Sequence, residues 1–587
     1  MRFLFLAMLT VGSLAFIHWS GPRKTLPNVL LIMTDDQGWG DLGSSKNPML
    51  QTPVLDSLAR QSATFDRFYV SPLCAPTRAS LLTGRYHLRT GTVSVTKGLE
   101  TMRANETTLA EIFRDNGYYT GIFGKWHNGE HYPNNPAGQG FDEFLGFCAG
   151  HWSNYFGTEL QTNQQPKKTS GYITDVLTDA ALSFMDRNRE KPFFCYVPYN
   201  APHSPHQVPD NYFDPQKAAG HDNELASIYG MVANIDHNVG RLLDRLDKLK
   251  LTDNTIVIFL TDNGPNGHRY NGGMKGIKGA VDEGGMRVPC FVHWHGTVRP
   301  GTEIKSIAAH IDMLPTLIDL CGLKKTSALP LDGVSLAGVL RGQSAAPAGR
   351  TLFSHVAFIN NVTDLKSRPG TARTDRYRLV WKDEQPELYD MRADPNQTRN
   401  VAAYHPKETK QLADAYTRWF ADVTQNLQPA PPVPMGFPDG GTVLLNAPEA
   451  RFGGSIRYAE GHGWAHDWLT NWTTPADSMS WSLDALQPAR YVAYLQYTCL
   501  PAAVGSVVQL SIQNQFVTGK IMPAFDPPLL PSPDRVPRKE AFEKPWARLK
   551  LGLLTVPKGE SQLILKALRV AGSEVADVKA IELEPLW

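Results

Sequence analysis

The stretch NVLLIMTDDQGWGD, residues 28–41, joins an unbroken apolar run to a cluster of acidic residues and glycines. An apolar run of this length, rich in aliphatic side chains, is typical of a strand buried on both faces of a parallel sheet. Asp35 and Asp36 follow the run directly. The stretch therefore predicts a central buried strand whose carboxyl end presents a pair of carboxylates.

Three further apolar runs repeat this pattern: YYTGIFG at 118–124, PFFCYVPY at 192–199 and TIVIFLT at 255–261. Amphipathic stretches such as TTLAEIFRDNG and YGMVANIDHNVGRLLDRLDKL lie between the runs and predict helices. Strands that alternate with helices in this way are typical of α/β domains. We therefore predict an α/β fold in which helices cover both faces of the sheet.

Polar side chains follow each of these three strands at the point where the strand ends. They are Lys125 and His127, then His203 and His206, and finally Asp262 and Asn263. Each cluster alone is typical of a solvated turn. Because open α/β sheets bind ligands outside the carboxyl ends of their strands, four clusters together indicate one site at this edge.

The acidic members of these clusters indicate a metal site. Their carboxylate and amide oxygens suit a hard divalent cation, Ca²⁺ or Mg²⁺: Asp35, Asp36, Asp262 and Asn263. The histidines at 127 and 203 could instead bind a softer metal. A lysine beside them opposes a cation, however, and favours a bound anion next to the metal.

A single cysteine lies in the polar stretch SPLCAPTRASLLTGRYH, residues 71–87. A free cysteine is most often a small buried hydrophobe, and a nucleophilic one needs activation by a nearby base or cation. The polar surroundings of Cys74 disfavour the first interpretation. Pro76 predicts the first turn of a helix whose free N–H groups face a bound anion, with Arg78 at the same end. A capped surface helix would also explain the proline.

The composition is that of an ordinary globular protein. The 587 residues include 58 Lys and Arg against 57 Asp and Glu, and 42% of them are hydrophobic. Near-neutral charge argues against a nucleic-acid-binding protein, although a pocket for an anion needs only local positive charge. Six cysteines are too few for a disulfide framework, and at most one or two pairs could form.

The amino-terminal segment predicts export. The apolar run FLFLAMLTVGSLAFIHW at 3–19 follows Arg2 and precedes polar residues, which is typical of a secretory signal peptide over 1–24. An uncleaved anchor is the alternative. Because no second run is long enough to span a membrane, we expect a secreted or periplasmic protein without stable membrane association.

The chain changes character after a first domain at 25–427. The stretch QPAPPVPMGFPDGG holds five prolines and three glycines, which predicts a linker at 428–440 with neither helix nor strand. Segments such as SMSWSLDAL and RYVAYLQYTC predict a β-sandwich over 441–587, with the insert 523–546 as a surface loop. Its tryptophans could bind carbohydrate, or could lie in the core or at the domain interface: Trp464, Trp468, Trp472 and Trp481.

The motifs of the first domain resemble the type I sulfatases of the alkaline-phosphatase-like superfamily. Besides the opening stretch, the resemblance rests on CAPTRASLLTGRY, GIFGKWHNG, APHSPH, LTDNGPNG, GIKGAVDEGGMRVP and ELYDMRADPNQTRNVA, and it ends near Ala403. It implies an alkaline-phosphatase-like mixed sheet sandwiched by helices. It also implies that Cys74 is oxidised to Cα-formylglycine before the chain folds, by a formylglycine-generating enzyme or an anaerobic sulfatase-maturing enzyme.

The resemblance also implies a reaction. One hydroxyl of the hydrated aldehyde, acidified by the cation and by Arg78, would attack sulfur while His203 protonates the leaving ester oxygen. His127 would then take the proton of the second hydroxyl, which expels sulfate and restores the aldehyde. The cation, Ca²⁺ or alternatively Mg²⁺, would lie among the predicted oxygen ligands and the modified cysteine: Asp35, Asp36, Asp262, Asn263 and Cys74.

Lys125 and Lys278 match the sulfate-binding positions of the family, and Lys275 is the less favoured substitute for Lys278. The predicted function is therefore hydrolysis of a sulfuric ester, and the C-terminal module favours a sulfated saccharide as the substrate. An aryl sulfatase and a phosphoric or phosphonic monoester hydrolase of the same superfamily are alternatives. A non-catalytic sulfated-glycan-binding protein is a third, but it leaves His127 and His203 without a purpose.

Overall fold

The central sheet of the first domain is mixed. The computed structural model describes residues 26–163 and 165–586, so the predicted signal peptide at 1–24 lies outside the described residues. Eleven strands of the described chain form this sheet: β1 Asn28–Thr34, β2 Ala63–Tyr69, β3 Tyr119–Lys125, β4 Glu143–Phe147, β5 Glu159–Thr162, β6 Gln165–Lys168, β7 Phe193–Pro198, β8 Thr255–Thr261, β9 Arg287–Val288, β10 Cys290–His293 and β11 Thr302–Ala309.

The strand order places the four predicted strands side by side. The order is β11-β2-β10-β8-β1-β7-β3-β4-β5-β6, with β9 paired to β2. Strands β8, β1, β7, β3 and β4 run parallel, and Val29 of β1 lies opposite Phe194 and Ile256. Strand β10 is antiparallel to both of its neighbours, which makes the sheet mixed. The parallel centre brings the carboxyl ends of these strands to one edge.

Helices cover both faces of the sheet, because alternate side chains of β1 point to opposite cores. Leu30 and Ile32 pack with α1, α4 and α6, whereas Leu31 and Met33 pack with α2, α3 and α8. This arrangement confirms the predicted fold class. The helices are α1 Pro53–Gln61, α2 Cys74–Thr83, α3 Leu109–Asp115, α4 Ile173–Asn188, α5 Asp210–Ala218, α6 Asn223–Lys248, α7 Glu283–Met286, α8 Met313–Cys321, α9 Ala337–Leu340 and α10 Pro406–Thr424.

A small antiparallel sheet follows the central one. Its strands are β12 Leu352–His355, β13 Gly370–Arg373, β14 Tyr377–Trp381 and β15 Glu387–Asp390. Helix α10 packs on this sheet through Tyr416 and Trp419, and the Trp419 ring lies 5.1 Å from the ring of Tyr86 in the first part of the domain. A shared apolar core therefore joins the small sheet to the part of the domain that contains Tyr86.

The C-terminal module is a β-sandwich, as predicted. One six-stranded sheet has the order β16-β21-β26-β23-β24 with β18 on β21, and the other has β19-β20-β27-β22-β25 with β17 on β27. Side chains of both sheets share one core. The strands are β16 Val433–Met435, β17 Val443–Asn446, β18 Arg451–Phe452, β19 Arg457–Tyr458, β20 Leu469–Thr470, β21 Ser478–Ala485, β22 Ala489–Thr498, β23 Val507–Ile512, β24 Gln515–Lys520, β25 Ala547–Val556, β26 Gly559–Arg569 and β27 Asp577–Pro585.

The proline-rich segment 428–440 is more than a linker. Strand β16 lies within it and pairs in parallel with β21, with Val433 opposite Leu483. The expectation that this segment holds no strand is therefore wrong. The physical reason is that β16 is an edge strand, and a proline such as Pro434 is tolerated where one side of a strand has no partner to bond.

The structure decides several alternatives that the sequence leaves open. All six cysteines are free and buried. Trp468, Trp472 and Trp481 are buried within the C-terminal module, whereas Trp464 is half-buried and lies beside His151 of the first domain. Within residues 26–163 and 165–586, no helix has both the length and the apolar character needed to cross a membrane.

Candidate active site

The predicted site residues meet at one edge of the central sheet. The loops that follow β8, β1, β7 and β3 lie next to one another there, because these strands are neighbours. Most of the predicted side chains are completely buried, while His203 and Lys278 are half-buried. The structure brings the following predicted residues together: Asp35, Asp36, Cys74, Arg78, Lys125, His127, His203, Asp262, Asn263 and Lys278.

Two buried cations neutralise part of the acidic cluster. The Lys125 ammonium lies 2.5 Å from Asp35 Oδ2, and Arg78 Nη2 lies 2.9 Å from Asp262 Oδ2 and 3.5 Å from Asp35 Oδ2. Arg78 also donates through Nη1 to the carbonyl oxygen of Lys125 at 2.9 Å. These bonds hold the guanidinium and the ammonium in one place, which favours recognition of an anion without further rearrangement.

Lys278, rather than Lys275, belongs to the cluster. Its Nζ lies 2.6 Å from Asp36 Oδ1. Burial opposes the charged form, but Asp36 and the Cys74 side chain outweigh it and raise the pKa of Lys278. Lys275 instead contacts the hydroxyl of Tyr389 at 2.9 Å, away from the cluster. The lysine that matches the sulfatase motif is therefore the one that faces the site.

Three buried oxygens of the cluster have no hydrogen-bond partner: Asp35 Oδ1, Asp36 Oδ2 and Asn263 Oδ1. Unpaired buried oxygens are costly and call for an explanation such as an ion. Ligand atoms of Asp35, Asp36 and His203 lie within 4.8 Å of one another. Both Asp262 oxygens are already bonded, one of them to the Asp36 N–H at 3.2 Å. The donor set is dominated by oxygen and fits a hard cation, Ca²⁺ or Mg²⁺.

The acidic groups of the cluster differ in their protonation. Burial and the charge of Asp35 raise the pKa of Asp262 to about 7. Burial also opposes ionisation of Asp35, but Lys125, His203 and Arg78 outweigh it and lower the pKa of that carboxyl. Asp262 is therefore the carboxylate whose ionisation most needs a further positive charge nearby.

Two site residues adopt the left-handed backbone conformation that L-residues rarely occupy. The φ angle is 64° at Asp36 and 61° at His127. The Asp36 turn is braced on both sides, since its N–H bonds Asp262 and its carbonyl accepts from Arg269 Nη2 at 2.6 Å. Arg269 is in turn held by Asp41 at 2.9 Å. Such conformations persist at functional sites when surrounding contacts impose them.

Cys74 is the first residue of helix α2. It is 3% exposed, and burial raises the pKa of its thiol despite the opposing charges of Lys125 and Lys278. The unmodified thiol is therefore a poor nucleophile at neutral pH. Pro76 lies in the first turn and Arg78 one turn further, so the free N–H groups of the helix and the guanidinium belong to the same end.

The two predicted histidines present opposite ring nitrogens. His127 Nε2 must donate to the carbonyl oxygen of Val95, 2.9 Å away, which leaves Nδ1 as a buried acceptor without a partner. Burial and the charge of Lys125 hold the pKa of His127 well below its usual value, so the ring is neutral. His203 Nδ1 donates to the Ser204 carbonyl at 2.6 Å, and its Nε2 lies 3.7 Å from Asp36 Oδ2.

Sequence reasoning missed a third histidine of the site. His151 is 7% exposed, its Nε2 has no partner, and its ring lies parallel to that of His203 with 6.2 Å between the centroids. It follows β4, which was not among the predicted strands. Recognition of EFLGF as a strand would have identified His151, because the strand-end rule that found the other clusters applies here as well.

Comparison with known proteins matches the first domain to one family. The profile described as Sulfatase matches residues 27–323, and the profile described as N-sulphoglucosamine sulphohydrolase, C-terminal, matches residues 278–425. The uncharacterized sulfatase YdeN of Escherichia coli K12 is 30% identical over 490 residues, which cover 68% of this chain and 86% of that protein.

Two further relatives carry more specific descriptions. Mouse N-acetylgalactosamine-6-sulfatase is 31% identical over 376 residues, which cover 57% of this chain and 70% of that protein. The crystal structure of Ps i-CgsB in complex with k-i-k-neocarrahexaose superimposes with a TM-score of 0.63 at 27% identity, and the match covers 68% of this chain and 94% of that one.

Proposed function

This chain belongs to the sulfatase family and is a sulfuric ester hydrolase, and from this premise we propose that it removes sulfate from a sulfated carbohydrate with oxidised Cys74 as nucleophile. One observation carries the proposal. Cys74 begins helix α2, and Arg78, one turn further along the same helix, is a buried cation held by Asp262. A helix N-terminus beside fixed cations favours a sulfate ester at this residue.

Two groups beyond the encoded side chains would supply part of the chemistry. Formylglycine at position 74 would supply a hydrated aldehyde, with one hydroxyl to attack sulfur and a second whose deprotonation expels sulfate and restores the aldehyde. A hard cation, Ca²⁺ or Mg²⁺, supplies Lewis acidity and positive charge next to that hydroxyl. The residues that would hold the cation are the predicted set: Asp35, Asp36, Cys74, Asp262 and Asn263.

The basic side chains bind and orient the ester. Lys125 and Lys278 contact the sulfate oxygens, and both retain a carboxylate partner that fixes their position. Arg78 lies one turn after Cys74 in helix α2 and is held by Asp262 and by the Lys125 carbonyl. Because all three cations are already fixed before the substrate binds, they stabilise the anionic transition state without reorganisation.

The histidines act at different oxygens. His203 keeps Nδ1–H bonded to Ser204, so Nε2 is the nitrogen that holds the proton for the leaving ester oxygen. His127 is neutral and donates through Nε2, so Nδ1 is free to accept a proton from residue 74. One ring is thus arranged as the acid and the other as the base.

A saccharide is the substrate class that the relatives favour. One relative is named N-acetylgalactosamine-6-sulfatase, and another was crystallised in complex with k-i-k-neocarrahexaose. In the described part of the chain, His, Cys, Asp and Glu ligand atoms form a single cluster tight enough for a metal. This favours a one-cation sulfatase over a phosphatase with two metals.

Cys74 also implies a maturing partner and an order of events. The whole of α2 is buried, so the thiol is out of reach once the chain has folded. We therefore place oxidation by a formylglycine-generating or anaerobic sulfatase-maturing enzyme before folding. Export through a signal peptide at 1–24 to the periplasm or outside the cell completes the proposal.

The decisive experiment measures sulfate release together with the state of residue 74. The protein is co-produced with a maturing enzyme and assayed on 4-nitrophenyl sulfate, 4-nitrophenyl phosphate and sulfated mono- and oligosaccharides, with Cys74→Ala as control. We expect sulfate release and formylglycine in the peptide 71–85 by mass spectrometry. Full activity with an unmodified cysteine, or preference for the phosphate ester, would overturn the proposal.

A further inference from the structure

The C-terminal β-sandwich lies outside both family profiles, which end at residues 323 and 425, yet it contacts the active-site edge. Two of its segments do so: the loop 459–467 and the insert 523–546. The loop places aromatic rings beside His151, and the insert binds the loop that carries His203. The two contacts are independent observations and support two different inferences.

A row of rings leads from His203 to the surface of the β-sandwich. The His151 ring lies 6.2 Å from His203 and 6.3 Å from Trp464, and Trp464 stacks on the exposed His462 at 4.5 Å. The His466 ring also lies next to the row, with its centroid 6.5 Å from that of His151. The row begins at His203, the proposed acid, and ends at the exposed His462.

Two features of this row indicate a ligand. His151 Nε2 is buried without a partner, so it can bond a hydroxyl that enters the row. Trp464 is half-buried, whereas Trp468, Trp472 and Trp481 are in the core. Apolar ring faces together with a few polar groups are what a pocket for a sugar ring offers.

We propose that His151 and Trp464 form a subsite for the saccharide on the leaving-group side of the sulfate ester, with His462 at its outer end. This inference rests on the proposed function, and it assigns to the β-sandwich one wall of the substrate pocket. The module then determines which sulfated saccharides are turned over, whereas the sulfate-binding residues of the first domain act on any sulfate ester.

The test compares a substrate that fills the subsite with one that does not. Trp464→Ala and Trp464→Phe are assayed on a carrageenan hexasaccharide, a chondroitin 6-sulfate tetrasaccharide and 4-nitrophenyl sulfate. Phe516→Ala removes an aromatic ring of the same module that is 63% exposed, and it serves as the matched control. Thermal unfolding of each variant verifies that it is folded.

We expect Trp464→Ala to lower kcat/KM for the cleaved oligosaccharide at least tenfold, through a higher KM. The kcat/KM of the same variant for 4-nitrophenyl sulfate should stay within twofold of the wild-type value. Trp464→Phe should give an intermediate loss on the oligosaccharide. Equal losses on both substrates, unchanged oligosaccharide turnover, or a wild-type enzyme that cleaves only the aryl ester would overturn the subsite. Absence of sulfate release from every substrate would instead overturn the proposed function.

Glu540 of the insert is a buried carboxylate whose position needs a separate explanation. It is 6% exposed, accepts a hydrogen bond from the Ser204 hydroxyl, and has no partner for Oε2. The Ser204 carbonyl in turn accepts the bond from His203 Nδ1 at 2.6 Å. Glu540 of the β-sandwich is thus linked through Ser204 to His203, the proposed acid.

We infer that Glu540 is a positioning residue for His203. By holding Ser204, it fixes the carbonyl that orients the imidazole, so that Nε2 faces the leaving oxygen. Neighbouring bonds hold the same loop, because Gln207 Nε2 donates to Asp534 Oδ1 at 2.7 Å and to the Ser532 hydroxyl at 3.0 Å. Those bonds anchor the loop as a whole. The Glu540 bond instead holds Ser204, whose carbonyl oxygen accepts the hydrogen bond from His203.

Leaving-group dependence distinguishes positioning from a general structural role. Phenyl sulfate needs protonation of its leaving oxygen more than 4-nitrophenyl sulfate does. Glu540→Ala should lower kcat for phenyl sulfate at least tenfold and kcat for 4-nitrophenyl sulfate less than threefold, without a change in KM. Arg535→Ala, which removes a different contact of the insert with the first domain at Val208, is the control.

A double-mutant cycle completes the test. If Glu540 acts through His203, the variant His203→Ala/Glu540→Ala should lose no more than His203→Ala alone. Additive losses, or equal losses on both aryl sulfates, would show that Glu540 only supports the fold. Unaltered kinetics of Glu540→Ala on both esters would overturn the assignment as well.

Discussion

Two buried ionic clusters of the first domain use similar residues for different ends. In the structural cluster, Glu283 Oε1 accepts from the Tyr69 hydroxyl at 2.8 Å, and Oε2 accepts from Arg378 Nε at 3.0 Å and lies 3.5 Å from Arg373 Nε. Both carboxylate oxygens therefore have partners. In the site cluster around Asp35, Asp36 and Asp262, oxygens remain unpaired in spite of three neighbouring cations.

The difference appears in the acidity of the two clusters. Burial opposes ionisation of Glu283, but Arg378 and Arg373 outweigh it and lower its pKa to about 2. Burial and Asp35 instead raise the pKa of Asp262 to about 7. A buried acid with complete hydrogen bonding stabilises the fold, whereas unpaired oxygens and a raised pKa indicate a site that awaits a ligand.

The largest expected effect follows from replacing an acid of the site cluster. Asp262→Asn removes the ionised partner of Arg78 and one negative charge beside the proposed cation. Turnover should therefore fall about a hundredfold or more. The metal-free protein should keep its unfolding midpoint, since the ionised carboxylate is poorly stabilised there. Sulfate release, metal content and urea unfolding are the measurements; an active variant with full metal content would contradict the comparison.

A second large effect concerns His127 Nδ1, a buried nitrogen of the site without a hydrogen-bond partner. Without His127 Nδ1, nothing accepts the proton whose removal releases sulfate, so His127→Ala should complete one turnover and then stop. Rapid-quench counting should show a burst of alcohol equal to the enzyme concentration, with sulfate retained on residue 74. His203→Ala should show no burst; the opposite pattern would reverse the two roles.

The structural cluster should respond in stability instead. Because the pKa of Glu283 falls from 4.5 to about 2, its stabilisation is complete above pH 4.5 and is lost as the pH falls through 2. Glu283→Gln should therefore cost about 3 kcal/mol of unfolding free energy at pH 7. Urea unfolding of this variant and of the exposed control Glu384→Gln measures the loss, and turnover of the folded fraction should persist.

The smallest effect sharpens the comparison through pH. In metal-free protein, the raised pKa of Asp262 gives stabilisation that is complete below pH 3.8 and is lost as the pH rises through about 7. A Ca²⁺ concentration a hundredfold above the Kd at pH 8 should add about 2.7 kcal/mol at that pH, and the same concentration should add less at pH 5. Thermal unfolding with and without Ca²⁺ tests this; the same gain at both pH values would speak against a carboxylate site.

Much of the site could be predicted because its residues follow strands that are easy to recognise. Apolar runs such as NVLLIMT identify buried strands, and parallel strands bring their carboxyl ends together. Local motifs also distinguish Lys278 from Lys275. Strand β4 was missed because the short stretch EFLGF has no clear boundaries in the sequence. His151, which follows this strand, was therefore absent from the predicted site.

The sequence by itself determined the order of strands and helices, the chemistry offered at each strand end and the position of Cys74 at the start of a helix. Only the tertiary structure decided which oxygens stay unpaired and which nitrogen of each histidine is free. It alone also placed Trp464 and Glu540 beside His151 and Ser204. The physical reason is that strand and helix patterns arise between near neighbours in the chain. The contacts of Trp464 and Glu540 instead join residues more than 300 positions apart, and no local pattern encodes them.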